Sequence, residues 1–110
     1  MRTQIIGLTI GKTAASPLSR MTFAGFDGNP CAAGAKALGV VEADSDTGEE
    51  APINLYGSLL VIASAPIAAG AQVQSDANGN AVPLTTGISN GWALDAAVNP
   101  GDIILVVRGI

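Results

Sequence analysis

The chain has 110 residues, 48% of them hydrophobic, with 19 Ala, 14 Gly, four aromatic side chains, one Cys, no His and a net charge of −4. That length predicts a single domain whose one core is thin and built from small side chains with a few Ile, Val and Leu clusters. Without histidine there is no Ser-His-Asp triad, Cys-His dyad or imidazole metal ligand, and one cysteine excludes an internal disulfide or a cysteine-based zinc site.

Residues 4–10 place Ile6, Leu8 and Ile10 on one face in period two and predict a short strand interrupted by glycine. Residues 11–29 are irregular, punctuated by Ser16-Pro17, Gly25 and Gly28, with Met21, Phe23 and Phe26 alternating in an extended pattern. Arg2, Lys12 and Arg20 give residues 1–26 a charge of +3 with no acid, whereas residues 27–110 hold Lys36 and Arg108 against nine acids. The expectation is an extended, basic N-terminal arm over 1–26 and an acidic β-rich body over 27–110. An arm of that length reaches a neighbouring molecule, and its charge is either incidental or suited to an acidic partner surface. Three scattered cations on an acidic body do not make a nucleic-acid surface, which needs clustered Lys and Arg to release counterions.

After Pro30 come β-branched or alternating runs at 37–43, 53–56, 58–64, 71–75, 81–84, 91–98 and 102–108, separated by turn signals such as Asn78-Gly79-Asn80 and Asn99-Pro100-Gly101. No helical period persists over three turns, so the fold class is all-β: a small single-domain barrel or sandwich of short strands. Two internal echoes support a repeated β unit. Pro30–Lys36 resembles Pro66–Gln72, each a turn with a glycine free to take positive φ before a strand, and Gly39/Gly57 and Gly91/Gly109 share an eighteen-residue spacing. Chance similarity in so Ala- and Gly-rich a chain is the alternative.

Candidate chemistry is sparse. Residues 7–13 (Gly-Leu-Thr-Ile-Gly-Lys-Thr) fall one residue short of a phosphate-binding P-loop and lack the helix that the loop should open. The acidic run at 44–50 has the wrong register for an EF-hand and reads as a solvated loop. Glu42, Asp95 and Asp102 are the only plausible acid/base players, without the aromatic platforms that sugar chemistry wants. Cys31 reads as a buried small hydrophobe. Trp92 is either a core anchor or an interface hot spot. Residues 103–107 are apolar on both faces, so that strand is central or is covered by another subunit. No stretch approaches the ~20 apolar residues of a membrane span, and the first residues lack a signal-peptide pattern; the expectation is synthesis in the cytoplasm as a soluble, reduced protein.

In order along the chain, Gly57-Ser58-Leu59-Leu60-Val61-Ile62-Ala63, the Ala-Gly turn 66–73, the hairpin 76–83 ending in Val82-Pro83, Gly91-Trp92-Ala93-Leu94-Asp95-Ala96-Ala97 and Gly101-Asp102-Ile103-Ile104-Leu105-Val106-Val107 resemble the capsid cement, or decoration, proteins of tailed bacteriophages. The resemblance covers about half the chain, 57–109; the arm, the acidic loop and Trp92 lie outside it. It implies a small β-barrel-like protein that binds the outer surface of an assembled head and clamps neighbouring major capsid protein subunits, often as a homotrimer or dimer at a symmetry axis, with no cofactor, metal or catalytic residue. Arg2, Ile6, Leu8, Ile10, Lys12, Arg20, Met21, Phe23, Phe26 and Trp92 are the expected partner-contacting residues. The competing expectation is a non-catalytic β-domain that binds carbohydrate or peptide within a larger virion or cell-surface assembly.

Overall fold

A computed structural model describes residues 3–110. Among them the alternating runs form eight strands and no helix: β1 (Ile5–Thr13), β2 (Phe23–Ala24), β3 (Gly39–Val41), β4 (Glu50–Ile62), β5 (Gln72–Ser75), β6 (Ala81–Pro83), β7 (Gly91–Ala93) and β8 (Ile103–Arg108). One sheet runs β2-β3-β4-β8-β7-β5-β6, with β1 added to β4. The sheet coils until its ends nearly meet. Phe23 N–H donates to Gly79 O (2.7 Å) in the turn between β5 and β6, and Ala63 bridges Ala81 at the end of β4. The result is a small all-β barrel, one of the two all-β architectures that composition and turn spacing predict.

Several boundaries differ from the sequence expectation. The runs at 53–56 and 58–64 are one strand, because Gly57 marks a close approach and not a turn: at φ 124°, an added Cβ would fall 2.2 Å from Ile5 O. β3 and β7 are shorter than the runs at 37–43 and 91–98. Past Ala93, Leu94 N–H still reaches Leu105 O, but the Asp95 carboxylate then takes the Leu105 N–H (3.1 Å) and the backbone ladder ends.

Two cores form where one was expected. Phe23, Val40, Leu59, Val61, Ile67, Val73, Ile104 and Val106 belong to the main cluster inside the barrel. Ala14, Leu18, Ala24, Val41, Ala51 and Ile53 form a second. Sequence neighbours Phe23/Ala24 and Val40/Val41 fall in different clusters because successive strand side chains point to opposite faces. β2 and β3 are therefore buried on both sides.

The second core fixes the course of the N-terminal segment. Beyond β1 the chain does not stay extended toward a neighbour; it folds onto its own acidic loop. Leu18 and Ser45 exchange N–H···O bonds in both directions (2.9 Å each), Ala14 N–H donates to Glu49 O, and Gly48 N–H donates to Ala14 O. Arg20 N–H donates to Asp44 Oδ1 (2.7 Å). The two Pro-linked echoes are real turns: Gly34 and Gly70 have φ of 70° and 85°, and Ala35 and Ala71 N–H each close the turn on the residue three before (3.1 Å). Cys31 is fully buried, as expected, and burial pushes its thiol up from the ordinary value.

Candidate partner-binding surface

β1 is an edge strand. It pairs with β4 from Ile5↔Ser58 to Thr13↔Glu50, and among the described residues no strand pairs with its other edge. Ile5, Ile6, Leu8 and Ile10 are all exposed. Their alternation is broken, however, by register shifts on either side of Leu8, so Ile6, Leu8 and Ile10 do not form the single stripe that period two predicts. The cause is local. The Tyr56 ring lies over Gly7, where a Cβ would come 2.1 Å from Cε2. Exposed apolar side chains beside an unpaired edge are what a protein acting alone suppresses.

The outer face of β4-β8-β7 continues this surface. Leu59, Val61, Ile104, Val106 and Ala93 point into the barrel, so their neighbours Leu60, Ile62, Ile103, Leu105, Val107, Trp92 and Leu94 point out. The registers align them into rows: Leu60↔Leu105, Ile62↔Ile103, and Ser58↔Val107↔Trp92. Trp92 is 40% and Leu94 56% exposed, and none of these positions is charged. The strand at 103–108 is thus both central and apolar on its outer face.

The remaining expected contact residues scatter. Arg2 lies outside the described residues. Lys12 is half-buried on β1 opposite Ala51, and Arg20 is exposed beside Asp44. Met21 is half-buried at φ 63°; its N–H donates to Val41 O and its carbonyl accepts from Ile62 N–H, which ties it to the body. Phe23 is at 0% exposure, a core residue and not a contact, whereas Phe26 is 60% exposed. Sequence reasoning missed Ile5, Tyr56 and Leu94. The both-face apolarity of residues 103–107 was the signal for the outer face, but its neighbours could not be assigned without the strand order.

The polar candidates serve the fold. Glu42 accepts from Gln4 Nε2 and Asn54 Nδ2, Asp95 from Leu105 N–H, and Asp102 from Val98 and Asn99 N–H. The P-loop-like residues 7–13 are strand β1. Among the described residues no cluster of acidic or cysteine side chains is arranged to hold a metal ion.

Fold and surface together define a small β-barrel that exposes an unpaired strand edge and an uncharged apolar face. A family model for phage cement proteins matches residues 3–108, and the chain belongs to that family, a phage capsid-associated one. A similar solved structure is the head fiber gp8.5 N base of bacteriophage phi29, with a TM-score of 0.72 and 24% identity over 92% of this chain and 93% of that one. At that identity the likeness concerns the fold. No curated protein matches the sequence.

Proposed function

We propose that the protein binds the outer surface of an assembled phage head and clamps neighbouring major capsid protein subunits, stabilising the shell as a non-enzymatic component of the virion. The observation that carries this reading is β1: nine residues with one free edge and exposed Ile5, Ile6, Leu8 and Ile10. A partner strand added to that edge gains main-chain hydrogen bonds and apolar contacts together. Lys12 on β1 and the exposed Arg20 and Phe26 add further contacts, and Trp92 anchors the outer face. Met21 positions the segment behind it. The outer face packs on the capsid or on a second copy at a symmetry axis. Many weak contacts repeated over one lattice then resist outward pressure through avidity.

Co-sedimentation with empty mature heads tests this reading. Saturable binding at a simple ratio to the major capsid protein is expected. A chain lacking residues 1–10 should keep its fold and lose attachment, because none of the described residues 3–10 belongs to either core. Undiminished attachment of this truncated chain overturns the role of β1. Deleting residues 1–25 is not a clean test, since it removes Ala14, Leu18, Phe23 and Ala24 from the cores.

A further inference from the structure

An open groove of about 440 Å³, lined by Lys36, Tyr56, Asn90, Trp92, Val107 and Arg108 among others, lies at one end of the barrel. It gathers two of the five cations of the chain and none of its nine side-chain carboxylates. Arg108 is only 9% exposed. Its Nη2 donates to Ala37 O (3.1 Å), while Nη1 is buried with no hydrogen-bond partner among the described residues. Among the described residues no side-chain carboxylate lines the groove to compensate it. Burial pushes the Arg108 guanidinium down from its ordinary value.

A buried cation without a counter-ion is costly, and holding one carbonyl does not require it. Asn90 shows that a neutral amide suffices here: its Oδ1 accepts from Ala37 N–H (2.9 Å) and its Nδ2 donates to Ala35 O (3.0 Å). The unused nitrogen and the charge make sense together if an anion arrives from outside.

We propose that this groove is a carboxylate-binding site that takes an acidic side chain of a protein partner, with Lys36 and Arg108 as its two positive charges. The planar guanidinium offers the donor geometry that a carboxylate matches. Tyr56, Trp92 and Val107 cover the apolar stem of such a side chain. A protein fits better than a nucleic acid, because the surface around the groove belongs to a chain of net charge −4 that repels a polyanion. That this partner is the capsid rests on the function proposed above; the chemistry of the site does not.

Trp92 is the single tryptophan of the chain, so its fluorescence reports on the groove directly. The full chain is titrated with glutarate at constant ionic strength, and with uncharged glutaramide as the control. The expected result is a saturable change with glutarate alone, weakened at least about tenfold by Lys36→Met and by Arg108→Met. Lys36 is exposed, so Lys36→Met carries the test if Arg108→Met fails to fold. No saturable response, an equal response to glutaramide, or wild-type affinity in Lys36→Met overturns the site. The same variant is then co-sedimented with heads. Weakened attachment supports the capsid as donor of the carboxylate, and undiminished attachment removes it from that role. Heads that fail to bind even the wild-type chain overturn the capsid reading and leave a positive glutarate result standing.

Discussion

Ile5 and Trp92 stand at opposite ends of one cross-strand row. Ile5 pairs with Ser58, Ser58 with Val107 and Val107 with Trp92, so the row crosses β1, β4, β8 and β7. At strand spacing it spans about 14 Å. The residues are more than eighty positions apart in sequence, yet they bound one uncharged face that is exposed at Ile5, Trp92 and Leu94, half-buried at Leu60 and buried at Leu105. Leu94→Glu tests that surface. The side chain is more than half exposed, so thermal stability should change by no more than about 0.5 kcal/mol. A carboxylate placed here must be desolvated on contact, at a cost of several kcal/mol, and attachment to heads should fall at least about a hundredfold. Unchanged attachment in a sedimentation assay excludes this face from the contact.

Two glycines shape the β1–β4 pairing, and they should respond unequally. A Cβ at Gly7 meets the Tyr56 ring, which is half exposed and free to swing outward. A Cβ at Gly57 meets the backbone carbonyl of Ile5 at 2.2 Å and also demands φ 124°. Neither can be relieved by a side-chain rotation. Gly57→Ala should therefore lower the melting temperature clearly more than Gly7→Ala, with hydrogen exchange accelerated along β1. Equal melting temperatures would show that β1 is not held as closely as the register indicates.

Phe23 and Phe26 look alike in the sequence and behave differently in the fold. Phe23→Ala removes the largest side chain of the main core and should cost about 3–5 kcal/mol, a large share of the stability of a domain this size. Phe26→Ala should alter stability by about 0.5 kcal/mol or less and weaken attachment. Urea denaturation of the two variants separates them. A destabilisation by Phe26→Ala comparable with that of Phe23→Ala would mean that residue 26 is covered by the body.

What the sequence made legible follows from range. β5, β6 and β8 sit within a residue or two of the runs at 71–75, 81–84 and 102–108, because turn residues beside them act locally. The fate of residues 14–26 was hidden, since Leu18 is fixed by Ser45 and Met21 by Val41 and Ile62, contacts that no local pattern announces. The repeated β unit was half visible. Gly39 and Gly91 do open matching three-residue strands, and the bridges that follow, Leu18↔Ser45 and Ile67↔Ala97, match as well. Both use the residue after a proline, Pro17 or Pro66, whereas the echo at Pro30 is only a similar turn. By its place at the end of the run at 102–108, Arg108 looks like a charge that flanks a strand. The inward parity it shares with Ile104 and Val106 instead carries its guanidinium into the barrel.

Acid should weaken the closure of the barrel through Asp76. Partial burial pushes this carboxyl up, but hydrogen bonds from Ser64 Oγ (2.7 Å) and from the N–H groups of Asn80 (2.9 Å) and Asn78 (2.8 Å) outweigh it and hold the pKa below the ordinary aspartate value. A folded-state pKa below the unfolded one contributes stability that is complete above the unfolded value of about 3.9 and is lost as pH falls through the folded one. Asp76 orders the β5–β6 turn, and Gly79 in that turn accepts the Phe23 N–H that joins the two ends of the sheet. The wild-type chain should therefore lose more stability between pH 7 and pH 3 than Asp76→Asn, measured as the shift in urea midpoint. Asp27, also held low by the N–H of Asn29, keeps part of the pH dependence in the variant. Equal shifts in the two proteins would show that the Asp76 charge contributes nothing to holding the barrel closed.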